Sequence, residues 1–232
     1  MNPHASLFWD FSLFAHAAIF AGDPAPWVVL SRIAGYLQSL PLGQIEGRVA
    51  DGAYLENREK IVLAPGVVVE AGAYIRGPCW IGEGTEIRHG AYIRGNVITG
   101  KHCVIGHDTE VKNSLFLEGA HAAHFAYVGD SILGNRVNLG AGVKCANFKL
   151  DGQKIAVFVE GKRVETELKK LGALIGDGVQ IGCNTVLNPG TIVGKNTLCY
   201  PGLHLTGSIP EGSIVKSTLK LQIHPRVCSP SA

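Results

Sequence analysis

The stretch Gly-Ala-Tyr-Ile-Arg-Gly at 72–77 recurs unchanged at 90–95. The two copies are offset by three sixes, and a six-residue beat runs through most of the chain. From Leu63 it falls on Val69, Ile75, Ile81, Ile87, Ile93, Ile105, Val111 and Leu117, with Thr99 as the one polar exception. It resumes at Leu133, Leu139 and Cys145, and again from Ile175 through Ile181, Leu187 and Val193 to Cys199. Glycine often follows the aliphatic, as in Ile81-Gly82, Ile105-Gly106 and Val193-Gly194. A hexad sustained over this length marks a parallel β-helix, in which three short faces and three turns make one coil. An amphipathic helix would repeat every 3.6 residues and an ordinary strand every two, and neither pattern is present. The expected fold is an all-β solenoid.

Composition agrees. With 30 glycines in 232 residues, about 13%, the chain carries nearly twice the usual share, as a turn-dense solenoid needs. A formal charge of +2 gives no sign of a nucleic-acid or membrane surface. No apolar run reaches the roughly 18–20 residues that span a bilayer. The N-terminus has apolar stretches but no basic start and no clean cleavage site, which argues against a secretory leader. Cys79, Cys103, Cys145, Cys183, Cys199 and Cys228 form no C-x-x-C pair and no zinc spacing. They read as reduced thiols of a cytoplasmic protein, with Cys145 and Cys199 serving as small hydrophobes on the inward beat.

Residues 1–60 lack the hexad. After Pro24 and Pro26, the residues Trp27, Leu30, Ile33, Ala34 and Leu37 recur at helical spacing, so one amphipathic helix is expected over about 26–39. Solenoid ends expose unpaired strands, and this helix is expected to cap the first coil. Coils are expected over 61–206. They are interrupted at 149–172, where alternating apolar residues flank Glu160-Gly161 and read as an inserted β-hairpin projecting from the prism. The stretch 207–232, with three prolines and the cations Lys216, Lys220 and Arg226, reads as an irregular exit tail.

A coil of three hexads stacks equivalent positions of successive coils on one face, about 4.8 Å from one another. Arg76, Arg94 and Lys112 form such a column, each directly after an inward aliphatic and so directed outward. Neighbouring like charges at that distance repel by roughly 3–4 kcal/mol at an effective dielectric of 20 and by about 1 kcal/mol in water. The column is costly unless solvent or an anion neutralises it, and Arg suits phosphate oxygens. Between Leu117 and Leu133 the beat slips, and Glu-Gly-Ala-His-Ala-Ala-His-Phe-Ala-Tyr-Val-Gly-Asp at 118–130 places His121 and His124 near the column. Broken local rules often mark function. A third feature is Asn138-Leu139-Gly140-Ala141-Gly142, leading to Asn147-Phe148, where small residues would let a ligand reach backbone N–H groups.

The run H-F-A-Y-V-G-D-S-I-L-G-N-R-V-N-L-G-A-G from His124 to Gly142 resembles the acetyltransferase domain of the bifunctional glucosamine-1-phosphate N-acetyltransferase/N-acetylglucosamine-1-phosphate uridylyltransferase family, a branch of the hexapeptide-repeat acyltransferases. Arg94 and Lys112 fall at that family's spacing upstream. The resemblance covers 60–148 well and 173–206 moderately, and implies a left-handed parallel β-helix. It implies acetyl-CoA as co-substrate, no metal, and glucosamine 1-phosphate as leading acceptor, in nucleotide-sugar biosynthesis, with a related amino-sugar phosphate or a nucleotide-linked amino sugar as the alternatives. His124 would be the general base, with Glu110 assisting. Arg94 and Lys112 would hold the sugar phosphate, with Arg76 in the same column and Tyr127 and Asn138 on the sugar. Backbone around Ala141 would face the thioester oxygen, while Asn147 and Phe148 would pack on the pantetheine arm. The family forms trimers with sites between neighbouring chains, so a homotrimer is expected.

This chain departs from the family pattern at three places. Phe148 stands where the family has tyrosine. Cys183 and Pro201 occupy later-coil positions usually Ser and Ala. The family's site lysine matches either Lys149 or Lys154. No Gly-rich nucleotidyltransferase start lies upstream and the stretch before the coils is too short to hold that domain, so nucleotide-sugar synthesis itself is not expected. Two other readings share the fold. His102 and His107 with His121 or His124 resemble the metal-binding histidines of γ-class carbonic anhydrase-like proteins, though the usual first histidine is missing. A non-catalytic assembly module is the other.

Overall fold

The computed structural model describes residues 3–218 and 223. Its strands wind as a left-handed parallel β-helix with three faces. The first face holds nine strands, from Arg48–Val49 to Ile214–Val215. The second holds eight, from Tyr54–Glu56 to His204–Leu205, and the third eight, from Ile61–Leu63 to Ser208–Ile209. The coils therefore run past both ends of the span 61–206 expected from the hexad. The expected tail begins as solenoid, and Lys216 lies 5.3 Å from the centre of the Tyr200 ring. Lys220 and Arg226 lie outside the described residues.

The hexad dictates the winding. Val69, Ile75, Ile81, Ile87, Ile93, Ile105 and Val111 are fully buried in one axial core. Cys79, Cys103 and Cys145 lie among them, and burial pushes their thiols up to about 12. Thr99 keeps its inward place because its hydroxyl is partnered: it accepts the Gly82 N–H at 2.8 Å and lies 3.5 Å from Thr85 Oγ1. The corner between the first and second faces needs a left-handed residue in every coil. Gly90 (φ 74°) and Gly142 (φ 75°) supply it cheaply, whereas Phe125 (φ 52°) adopts it against the preference of a bulky side chain.

Register explains the slip near Leu117. Strand partners keep the three-hexad offset at Ile75 and Ile93 and at Ile93 and Val111. The offset is one position shorter from Val97 and Ser114 to Tyr127 and Lys144. The winding persists with one residue dropped in each of two coils, before Phe116 and again before Leu133. Phe116, rather than the expected Leu117, turns into the axis between Thr99 and Leu133. Leu117 turns outward into a second apolar cluster.

That second cluster corrects two further expectations. The helix Pro26–Gln38 forms, with Pro26 at its first position, but it does not cap the first coil. Trp27, Leu30, Ile33 and Leu37 share a buried cluster with Ile98, Leu115, Ile132 and Leu174, the outward residues of the third face. An apolar outer row has to be covered, and the N-terminal segment runs along it. Trp9 Nε1 donates to the Ile175 carbonyl at 2.8 Å, fastening the segment far down the stack. The hairpin forms, Ala156–Val159 antiparallel to Lys162–Glu165, but it is not free of the prism. Ile155, Val157 and Leu171 are buried in the same cluster beside Leu174 and Ile192. The coil resumes with Leu174 beside Ile132, so the winding closes across the whole insertion. Among the described residues no helix is long and apolar enough to cross a membrane.

Candidate active site

The second face carries the cation column. Its strands Tyr74–Arg76, Tyr92–Ile93 and Glu110–Lys112 are consecutive, so Arg76, Arg94 and Lys112 project from one wall in successive coils. Neither solvent nor an anion is needed to offset their repulsion, because each holds a carboxylate. Arg76 Nε lies 2.6 Å from Glu56, Arg94 Nη1 2.6 Å from Glu110, and Lys112 Nζ 3.0 Å from Asp130. The bond to Glu110 raises the Arg94 guanidinium above its ordinary range. The Tyr74 hydroxyl and the Arg76 guanidinium hold the Glu56 carboxyl below its own.

The column ends at Gly129, which pairs with Lys112. A Cβ there would come within 2.6 Å of both Tyr127 Oη and Asn147 Nδ2. Absence of a side chain thus lets Tyr127, Asn147 and Asp130 gather. Asp130 is buried and accepts from Lys112 at 3.0 Å, Asn113 at 2.9 Å and Asn147 at 2.5 Å. Burial and then the Glu110 charge push the Tyr127 phenol up. Beside them opens a groove of about 470 Å³ lined by Glu110, Phe125, Tyr127, Lys144, Asn147 and Phe148, among others.

His124 stands at the corner between the first and second faces, at the end of the strand His121–His124, with its side chain exposed. Its Cα pairs with that of His107, and the next coil brings Ala141 to the same corner, where Gly142 N–H donates to the His124 carbonyl at 3.0 Å. Two positions past the inward residues Leu139, Ile181 and Cys199 stand Ala141, Cys183 and Pro201, so the corner column reads His107, His124, Ala141, Cys183, Pro201. Cys183 and Pro201 line a shallow groove of about 360 Å³ that also contains Asn138.

The candidate residues thus fall into groups. Arg76, Arg94, Glu110, Lys112 and Tyr127 share the second face. Asn147 and Phe148 stand at its far edge. His124, Ala141, Cys183 and Pro201 follow the near corner. Asn138 pairs with His121 on the first face and does not meet Tyr127 within the chain. Lys149 pairs with Asp151 at 2.9 Å and Lys154 with Glu167, both on the hairpin side. His102 lies in the turn before the strand Val104–His107 and His107 at that strand's far end, and no group of three His, Cys, Asp or Glu stands in metal-holding reach among the described residues. Sequence reading missed Asp130 and Glu56. Asp130 stands three hexads beyond Lys112, but the coil there is one residue shorter and pairs Lys112 with Gly129, so the coil rule does not place it.

The model of the GMPPB C-terminal domain matches residues 75–170. The bifunctional sugar-1-phosphate nucleotidylyltransferase/acetyltransferase of Sulfurisphaera tokodaii is 35% identical over 191 residues, covering 82% of this chain and 47% of the relative. The chain is thus related to the bifunctional sugar-1-phosphate nucleotidylyltransferase/acetyltransferases. The bifunctional protein GlmU of Methanococcus maripaludis is 30% identical over 190 residues, covering 82% of the chain and 45% of the relative. The chain thus spans about half the length of these curated relatives. Among solved structures, the UDP-N-acetylglucosamine acyltransferase from Campylobacter jejuni superposes with a TM-score of 0.45 at 16% identity, covering 72% of this chain and 70% of that one.

Proposed function

We propose that this β-helix is an acetyl-CoA-dependent N-acetyltransferase whose acceptor is an amino-sugar phosphate, with glucosamine 1-phosphate as the leading candidate. One observation carries the reading: an exposed imidazole, His124, borders a face on which Arg94, Lys112 and Tyr127 converge beside an open groove. In this reading the acceptor phosphate shares Arg94 and Lys112 with Glu110 and Asp130. The sugar nitrogen attacks the thioester carbonyl while His124 removes its proton, and coenzyme A leaves as the thiol. Gly142 N–H is committed to the His124 carbonyl, which leaves the Ala141 N–H as a donor toward the developing oxyanion. The relatives' names support the chemistry: one is a sugar-1-phosphate nucleotidylyltransferase/acetyltransferase. The reaction needs no metal.

The division of Asn138, Cys183 and Pro201 from Tyr127 and Phe148 supports a homotrimer. In it the first-face and corner residues of one copy complete the second-face groove of the next. A second reading, an assembly module without turnover, is favoured by one observation: the cation column is already neutralised by Glu56, Glu110 and Asp130 and needs no ligand. Thiol release from acetyl-CoA, followed with a panel of amino sugars and their phosphates, separates the two. Acceptor-dependent release, fastest with a phosphorylated amino sugar, is the expected result. No release with any member of the panel overturns the enzyme reading.

A further inference from the structure

The hairpin insertion builds a second cavity that the reaction above does not use. A groove of about 650 Å³ lies between the hairpin and the corner of the second and third faces, with Ala146, Phe148, Phe158, Asn188, Lys149 and Arg163 in its lining. It shares Ala146 and Phe148 with the candidate active-site groove. On its other side it shares Lys149 and Arg163 with a basin of about 490 Å³ to which Lys154 and Lys169 also contribute. Three grooves therefore adjoin in sequence, from Tyr127 past Phe148 to a cationic end.

The chemistry changes along that path. Phe148 is 51% exposed and Phe158 45%, although a buried cluster lies directly beneath the hairpin that carries Phe158. Two aromatic side chains lining one cavity and left in water are a surface for stacking a planar ring. Beyond them, residues 149–170 carry six cations against four carboxylates, a surplus of two that equals the formal charge of the whole chain. Lys149 pairs with Asp151, Lys154 with Glu167 and Arg163 with Glu165, which holds three cations in place. Lys169 has no carboxylate within ion-pair distance among the described residues.

We infer that the hairpin groove binds a nucleoside phosphate, its base against Phe148 and Phe158 and its phosphates on Lys149, Arg163, Lys154 and Lys169. This rests on the acetyltransferase reading only for its source. The moiety is either the phosphorylated adenosine end of the coenzyme or the nucleotide of a nucleotide-linked acceptor sugar. Arg is matched to phosphate by its forked donors, and loss of one such contact costs roughly 10- to 100-fold in affinity.

Calorimetric titration of the full chain with adenosine 3′,5′-bisphosphate, and separately with uridine diphosphate, tests the inference. Arg163→Ala and Phe158→Ala are both exposed changes and should each weaken binding of one of the two ligands by at least tenfold. Loss confined to the adenosine ligand assigns the groove to the coenzyme, and loss confined to the uridine ligand assigns it to the acceptor. Binding of neither, or binding unchanged by both variants, overturns the proposal. If the adenosine ligand is the one bound, both variants should raise KM for acetyl-CoA and leave turnover with acetyl-pantetheine, which lacks a nucleotide, unaltered. The titrations report on the groove even if the chain acetylates nothing.

Discussion

His121 and His124 open and close the same short strand, yet the corner separates them. His121 is half-buried on the first face beside Asn138, whereas His124 ends the strand at the turn where the second face begins. Only the latter borders Tyr127 and the cation column. His124→Ala should lower kcat/KM for acetyl transfer by roughly 10²–10⁴-fold, the usual worth of a general base, with acetyl-CoA binding retained by calorimetry. His121→Ala should cost far less. Equal losses in the two variants would mean that the corner does not select the base. At this scale the column of Arg76, Arg94 and Lys112 was legible because it follows from coil spacing alone. Its neutralisation was not, since Glu56 is the strand partner of Arg76 across a first coil longer than three hexads, and Glu110 follows Arg94 by less than one coil. The first offset depends on the length of a coil that precedes the hexad and the second on a diagonal reach between coils, and the hexad says nothing of either.

A solenoid coil tolerates a missing residue if the next strand re-registers, and the coil that ends in Ser114–Phe116 is that case. Counting in sixes puts Leu117 on the axis and then finds no continuation until Leu133. Backbone pairing instead sets Phe116 between Thr99 and Leu133 and closes the coil one position early. The apparent break was thus a pair of single-residue deletions, one between Val111 and Phe116 and one between Val128 and Leu133, which together move the beat out of a strict period. Phe116 is fully buried in the axial core, where each coil touches only its neighbours. Truncation there leaves a cavity that the stacked backbone is too rigid to collapse. Phe116→Ala should cost about 3–5 kcal/mol, read as a lower urea midpoint. A cost below about 1 kcal/mol would show that Phe116 is not the axial residue of this coil.

The prism itself was readable from local sequence because a parallel coil needs only contacts between positions one coil apart. The N-terminal segment was not, since its docking depends on which outer face is apolar, and that row of Ile98, Leu115, Ile132, Leu174 and Ile192 emerges only once the chain is wound. His16 sits in this seam. Its ring meets Trp80 edge-on at 4.8 Å, Nδ1 lies 3.2 Å from Tyr36 Oη, and Nε2 is buried without a partner. A protonated imidazole here would bury an uncompensated donor, and burial pushes the group down to about 4 from the ordinary 6.5. The unfolded chain therefore binds this proton below pH 6.5 while the folded chain refuses it until about pH 4. Protons taken up only on unfolding favour the unfolded state, so stability should fall as pH drops through that window. Between pH 6.5 and 5 the loss from this one group approaches about 2 kcal/mol. Urea unfolding of the parent and of His16→Phe at the two pH values measures it. The phenyl ring keeps the aromatic packing and carries no proton, so the variant should lose less stability over the same interval. Identical losses in parent and variant would show that the docked segment does not hold His16 in its neutral form.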